Sequence, residues 1–259
     1  MSEDGIFRDG MKPGDVVVIT GGAGGFGRAF SKRFARMGAK IAVWEIDAKG
    51  GNEIVEELRA SGADATFFQV DLGDASAIER ATKATLELYG APYCVINNAS
   101  VFPRGEVLDL SLQAWELTFR VNVTAPFLIL KAFGPAMIEK QRGVVINLAS
   151  GRAVEGAPKG SNYAATKAAM VSLTKSLALE WAKHNIRVNA IIPGQSLTAM
   201  PLEATPLDQL IQRGKERVPL GRIGYPDDVA GLAAYLVSED AAYMTGQGVA
   251  INGGAVLIP

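Results

Sequence analysis

The run Asp15-Val-Val-Val-Ile-Thr20 passes directly into Gly21-Gly-Ala-Gly-Gly-Phe-Gly27, and helical spacing begins at Arg28. The short apolar run predicts a strand buried on both faces. Ala29, Phe30, Phe34 and Met37 then recur at the spacing of one helix face, and Gly38 stops the helix. Two glycine registers overlap in the turn, Gly22-x-Gly24-x-x-Gly27 and Thr20-Gly21-x-x-x-Gly25-x-Gly27. A turn without side chains lets the backbone approach a pyrophosphate, and the helix start offers free N–H groups and a positive dipole end. Gly21, Gly25, Phe26 and Gly27 are therefore candidate dinucleotide contacts.

The pattern repeats along the chain. Lys40 to Trp44 is a second strand ending in Glu45, about 20 positions after the glycines, where a ribose 2′-hydroxyl is held. A carboxylate there accepts hydrogen bonds from the diol and repels a 2′-phosphate. Neither Ile46 nor Gly24 is basic, so the reading favours NAD over NADP. Asp47 has the same strand parity and competes, but Glu45 stands nearer the strand end. A charged helix over Asn52–Ala60 precedes a third strand, Ala65–Val70, which ends in Asp71-Leu72. A helix over Ala75–Tyr89 leads to a fourth strand, Tyr93–Asn97, followed by Asn98, Ala99 and Ser100. In open parallel sheets, ligands sit beyond the carboxyl ends of the strands. Gly21, Glu45, Asp71 and Asn97 then share one edge.

Leu112 to Met137 reads as mostly helical, with Asn122 in its middle, where an amide competes for backbone hydrogen bonds. Gly143–Ala149 is a fifth strand ending at Ser150. Ser161-Asn-Tyr-Ala-Ala-Thr-Lys167 opens a helix that runs to about His184. Tyr163 and Lys167 are four apart and so lie on one face. A cation beside a phenol favours phenolate. Moving a phenol from about 10 toward about 7 takes roughly 4 kcal/mol, which a buried ammonium and a positively charged cofactor supply together and one solvated lysine does not. This helix is apolar on nearly all sides, which predicts a subunit interface beyond the sheet. Ile186–Ile192 is a sixth strand ending at Pro193-Gly194; Pro226–Val237 is a helix; Gly248–Ile251 is a last strand. Gln195–Val218, with Pro201 and Pro206, reads as a mobile insert over the site. The alternation predicts an α/β fold: a doubly wound parallel sheet of the Rossmann type with about seven strands, in a single domain over 15–259 after an extension at 1–14.

Composition narrows the function classes. The 259 residues are 48% hydrophobic and 20% charged, with a net charge of −1. No basic surplus points to nucleic acid or an anionic membrane. Cys94 and His184 are the only residues of their kinds, so no disulfide, cysteine cluster or multi-histidine metal site is expected. His184, in Lys-His-Asn, reads as a helix-end residue. The first 14 residues hold no apolar signal core, and no apolar run reaches ~18 residues, so a cytoplasmic chain is expected.

Taken together, these residues resemble the short-chain dehydrogenase/reductase family over nearly the whole chain. The matching pieces are Thr20-Gly-x-x-x-Gly-x-Gly27, Asp71-Leu72, Asn97-Asn-Ala99, Asn122, Ser150, Tyr163-x-x-x-Lys167, Asn189, Pro193-Gly194 and Thr198. The resemblance implies that Tyr163 is the general acid/base and that Lys167 lowers its pKa and binds the nicotinamide ribose. It implies that Ser150 bonds the substrate oxygen and that Asn122 holds a water linking Lys167 to solvent. It places Asn97, Asn98 and Ala99 against the cofactor, Asp71 and Leu72 at the adenine, and Pro193, Gly194 and Thr198 at the nicotinamide. Ser100 stands where members often have glycine. The family is often tetrameric, and its chemistry needs no metal.

The resemblance thus implies an oxidoreductase moving hydride between NAD(H) and a secondary alcohol or ketone. The alternatives are an NADP-dependent ketone reductase and a non-catalytic dinucleotide sensor; a lyase or epimerase would need a longer C-terminal region. Phe102, Val154, Leu197, Met200 and Leu202 suggest an apolar substrate wall and a largely apolar substrate. Arg104, Arg152 and Lys159, offset in part by Glu155, leave a carboxylate-bearing substrate as the second expectation.

Overall fold

The computed structural model describes residues 10–202 and 205–257. The proposed extension at 1–14 therefore lies largely outside the described residues, as do two positions of the 195–218 insert. Seven strands form one sheet: β1 Val16–Thr20, β2 Lys40–Glu45, β3 Ala65–Gln69, β4 Cys94–Asn97, β5 Gly143–Leu148, β6 Ile186–Pro193 and β7 Gly248–Ile251. Their spatial order is β3-β2-β1-β4-β5-β6-β7, and every pairing is parallel. Strand order reverses between β1 and β4, the switch point where such sheets open a crevice. The expected doubly wound Rossmann architecture is the observed one.

The helices are α1 Gly25–Arg36, α2 Ala48–Ala60, α3 Ala75–Tyr89, α4 Leu112–Phe119, α5 Ala125–Lys140, α6 Arg152–Glu155, α7 Ser161–Trp181, α8 Ala199–Leu202, α9 Leu207–Arg217 and α10 Pro226–Leu236. Alternation along each strand sends its apolar side chains to two cores. Val17, Ile19, Ile41, Val43 and Ile96 meet Phe30, Phe34, Ile54 and Val229 on one face. Val18, Ala42, Trp44, Val95 and Val145 meet Ile78, Ile129, Phe133 and Trp181 on the other. Both faces are covered, which is why the strands read as unbroken apolar runs.

Helices α6, α8 and α9 have no counterpart in the expected reading, the last two lying within the 195–218 insert, and two other elements differ from it. Helix α2 begins at Ala48 rather than Asn52, because Asp47 caps it by accepting from the backbone N–H groups of Lys49 and Gly50, both at 3.1 Å. Gly51 inside it is steric: a Cβ there would stand 2.2 Å from the Phe67 ring. The helix predicted over Leu112–Met137 is broken by a π-turn at Arg120–Thr124. Pro126 has no N–H, so the Asn122 carbonyl four residues earlier loses its α-helical donor. The run Leu112–Lys140 is long and apolar enough to cross a membrane by length and composition, contrary to the expectation that no such run exists. Half of its most apolar window is buried inside the domain, with Ile129, Leu130, Phe133 and Met137 fully enclosed, as in a core helix.

Candidate active site

The turn after β1 is held from below. Thr20 is buried, and its hydroxyl accepts from the backbone N–H groups of Asn98 (3.0 Å) and Ala99 (3.1 Å). The Asn98 amide donates back to the carbonyls of Thr20 (2.9 Å) and Gly21 (3.1 Å). Gly21 and Gly25 adopt φ of 61° and 47°, a region open to glycine. A Cβ on Gly27 would lie 1.9 Å from the Gly21 carbonyl oxygen, so only glycine lets α1 start this close to β1. Helix α1 follows Gly24 with no side-chain cap, leaving its first N–H groups without side-chain partners at the crevice.

Above this turn lies a cleft of 660 Å³, within the ~300–1,000 Å³ of small-molecule sites. Of the predicted cofactor contacts, Gly21, Gly25, Phe26, Glu45, Asp71, Leu72, Asn98, Ala99, Tyr163, Lys167, Pro193 and Thr198 line it. Glu45 faces the glycine turn: its carboxylate accepts from Ile46 N–H (2.9 Å) and, more weakly, from Ala23 N–H (3.3 Å). Asp47 also lines the cleft, but its oxygens are spent capping α2. Donors at one end, a carboxylate at the second strand and a buried lysine beyond fit an extended dinucleotide.

A second cleft of 470 Å³ adjoins the first. Tyr163 lines both. Lys167 faces only the first and Ser150 only the second. The Lys167 Nζ donates to the Leu148 carbonyl at 2.7 Å and stands 5.4 Å from the centre of the Tyr163 ring. Burial pushes its ammonium down to about 8. Burial also pushes the Tyr163 phenol up; a hydrogen bond from Ser150 and the charges of Arg104 and Arg152 pull the other way and do not offset it. The expected lowering of this phenol by Lys167 is thus absent in the protein alone, because the ammonium is itself desolvated and directed at Leu148. Phe102 stacks on Tyr163 with centroids 4.4 Å apart and 20° between planes, and the Arg104 guanidinium lies 4.2 Å from the Phe102 centroid.

Several predicted residues sit elsewhere. Asn97 does not reach the cleft: it is still within β4, so its side chain points into the protein, where its amide donates to Asn147 (2.8 Å), which donates to Thr174 (2.9 Å). Gly27 lies beneath the turn rather than on the cleft, and Gly194 lines only the second cleft. The Asn122 side chain is committed: it accepts from Val101 N–H (2.8 Å) and donates to the Val101 carbonyl (3.0 Å) and to Thr166 (3.1 Å). Asn189 ties β6 to the chain before β7 through Met244 and Gln247. The expected apolar substrate wall reduces to Phe102 and Met200. Val154, Leu197 and Leu202 line neither cleft, and Lys159 turns away to pair with Glu106 at 3.6 Å. Sequence reading missed Thr205, Arg213 and Arg217, which reach the second cleft from beside and along α9. Their available signal was two arginines at i and i+4, with Glu216 the one carboxylate in register and its oxygen taken by Gln212 at 2.7 Å.

Comparison with known proteins agrees with this geometry. A family model described as enoyl-(acyl carrier protein) reductase matches residues 21–256. A 2,5-dichloro-2,5-cyclohexadiene-1,4-diol dehydrogenase from Sphingobium indicum is 35% identical over 241 residues, covering 93% of this chain and 96% of that protein. A solved chain proposed as an NAD(P)-dependent gluconate 5-dehydrogenase from Beutenbergia cavernae, with NADP at low occupancy, superposes with a TM-score of 0.89 at 32% identity, covering 94% of this chain and 97% of that one. A blue fluorescent protein from a metagenomic library, in complex with NADPH, superposes with a TM-score of 0.86 at 30% identity, covering 95% and 99%. With a glycine turn, a Tyr163–Lys167 pair and Ser150 gathered at the switch point of one parallel sheet, and relatives matched nearly end to end, the chain belongs to the short-chain dehydrogenase/reductase family.

Proposed function

We propose that this oxidoreductase moves hydride between a secondary alcohol or ketone and a nicotinamide dinucleotide, with NAD preferred. The observation that carries the proposal is the position of Tyr163, shared by two clefts, with Lys167 on one side and Ser150 on the other. The first N–H groups of α1 suit the pyrophosphate, Glu45 the adenosine ribose diol, Asp71 and Leu72 the adenine, and Lys167 the nicotinamide ribose. Thr198 and Pro193 suit the nicotinamide. When bound, the oxidised cofactor supplies the hydride-accepting ring and a positive charge. Tyr163 takes the hydroxyl proton in oxidation and returns it in reduction. Ser150 donates a hydrogen bond to the substrate oxygen as its charge changes. Lys167 would donate to the ribose of the bound cofactor and, with its ammonium retained, would add to the positive charge that favours the phenolate. The Asn122 carbonyl, deprived of its α-helical donor by Pro126, suits the water that the family resemblance assigns to this position.

The NAD preference rests on Glu45, which leaves a 2′-phosphate facing a carboxylate. NADP is the second reading, favoured by the NADP and NADPH held by the two solved relatives. The segment 195–218 supplies Thr198, Met200 and Arg213 to the clefts, which supports a covering role that closes over bound substrate. Leu112, Trp115, Phe127 and Leu179 are exposed on α4, α5 and α7, supporting a homotetramer built on these helices in a cytoplasmic enzyme.

The test is Tyr163→Phe. Cofactor binding, followed by fluorescence of the reduced nicotinamide, should persist while turnover falls by about 10²–10⁴-fold. Turnover that survives the substitution would refute Tyr163 as the acid/base, and no turnover in the wild type with binding intact would favour the sensor.

A further inference from the structure

The second cleft is unevenly charged. Four arginines line it, Arg104, Arg152, Arg213 and Arg217, against one carboxylate, Glu155. Glu155 is already engaged with Arg152 at 3.7 Å. Arg104 lies over the Phe102 ring, with no carboxylate partner among the described residues. Arg213 donates to the Thr205 hydroxyl at 3.3 Å, a neutral acceptor. Arg213 and Arg217 are one turn apart on α9, a like-charged spacing that costs an isolated helix stability. Arg217 in the last turn has a partial structural account in the helix dipole; Arg213 stands three before Glu216, but that carboxylate accepts from Gln212 at 2.7 Å and forms no ion pair with Arg213 among the described residues. Guanidinium groups are planar forks matched to carboxylates, and here three enter one cleft beside Tyr163 and Ser150 without a counter-charge.

We infer that the substrate is a hydroxy acid or its oxo acid, whose carboxylate is held by Arg213, Arg217 and Arg104 while its carbinol carbon faces Tyr163 and Ser150. This inference rests on the hydride-transfer reading above and reverses the sequence-based order of expectations, in which an apolar substrate came first. The apolar residues of that expectation mostly miss the cleft, and the cations reach it.

The experiment compares hydroxy acids of about four to eight carbons with their own amides, which match them in shape and lack the charge. The expected result is a kcat/KM at least about tenfold higher for the acid, falling as ionic strength rises. Arg213→Gln and Arg217→Gln should each shrink the acid-to-amide ratio by about tenfold or more, and Lys215→Gln, the same charge change on α9 outside the cleft, should leave it at the wild-type value. Equal kcat/KM for acid and amide, or a preference untouched by both arginine substitutions, overturns the inference. Thermal shift separates this from failure of the hydride-transfer reading, because it needs no turnover. Acids at about 10 mM should raise the melting temperature of the wild type and not of the Arg213→Gln/Arg217→Gln double variant. No shift in the wild type, or an equal shift in both, overturns the inference even if the enzyme proves active on neutral alcohols.

Discussion

Replacing Glu45 by Gln tests the cofactor reading with little change of shape. The backbone N–H groups of Ile46 (2.9 Å) and Asp47 (3.4 Å) already occupy one carboxylate oxygen, and a glutamine carbonyl accepts from the same donors. The other oxygen receives only Ala23 N–H at 3.3 Å, so it retains acceptor capacity toward the cleft. A hydrogen bond to a charged group contributes about 1.5–3 kcal/mol and a neutral one about 0.5–1.5 kcal/mol, so neutralising the acceptor costs about 1 kcal/mol for each of the two ribose hydroxyls, or about 2 kcal/mol of NAD binding. Removing the repulsion of a 2′-phosphate at this partly exposed position returns about 1 kcal/mol to NADP. At about 1.4 kcal/mol per tenfold, the ratio of kcat/KM for NAD over NADP should fall by about 30- to 300-fold. Steady-state kinetics with both cofactors reads this directly. Asp47→Ala is the companion variant: loss of the α2 cap should lower stability by about 1 kcal/mol and leave the cofactor ratio in place. A wild type that prefers NADP, or a ratio that follows Asp47 instead of Glu45, would refute the reasoning.

Other perturbations have equally definite outcomes. Lys167→Met removes a buried ammonium whose native pKa lies near 8 against 10.5 unfolded, a difference worth about 3 kcal/mol at about 1.36 kcal/mol per unit. Below pH 8 both states are protonated and the native state carries the full desolvation cost; from about pH 8 to 10.5 the unfolded state binds more protons, so wild-type stability rises. Denaturation of the cofactor-free proteins should therefore show wild type gaining on Lys167→Met between pH 8 and 10, and a pH-independent difference would count against the buried cation. Gly27→Ala forces a Cβ to 1.9 Å from a backbone oxygen, so the turn must move; stability should drop by about 1–3 kcal/mol and cofactor affinity fall with it in titrations of reduced-cofactor fluorescence. Asn122→Ala strands the backbone N–H and carbonyl of Val101, and chemical denaturation should register a loss of about 2–4 kcal/mol.

The fold was readable because its core is simple. The strands are short apolar runs, and the first four end in polar residues or lead straight into them, so their parallel alternation with helices and the functional edge follow from the chain itself. What escaped depends on contacts between distant segments. Asn97 and Asn98 are chemically alike in sequence; only the pairing of Asn97 with Asn147 across β4 and β5 shows that one faces the core and its neighbour the cleft. The π-turn had two local signals, Asn122 and Pro126, yet its purpose is the bond to Val101, 21 residues away. Composition of the 101–104, 152–159 and 197–202 segments suggested an apolar wall, because direction was invisible: Val154 faces solvent, whereas Arg213 and Arg217 arrive from a helix that those segments do not include.

The ionisation of Tyr163 shows how the fold and the chemistry divide the work. Burial raises the phenol against the pull of Ser150, Arg104 and Arg152, and the Lys167 ammonium is directed at Leu148 and sits 5.4 Å from the ring centre. The protein by itself therefore holds a protonated phenol, a proton donor ready for reduction. Oxidation needs phenolate, and the missing stabilisation has to arrive with a positive charge entering the first cleft. In the proposed acid/base role, ionisation confined to the complex would keep the free enzyme from maintaining a reactive phenolate in an open cleft. Ultraviolet difference titration of wild type against Tyr163→Phe isolates this one phenol. Without cofactor the signal should rise only above pH 10; saturated with the oxidised cofactor it should shift downward by about 2 units or more, the displacement that one nearby opposite charge produces in a buried site. A phenolate signal below pH 9 in the cofactor-free protein would show that Lys167 suffices alone, and the division of work argued from its geometry would be wrong.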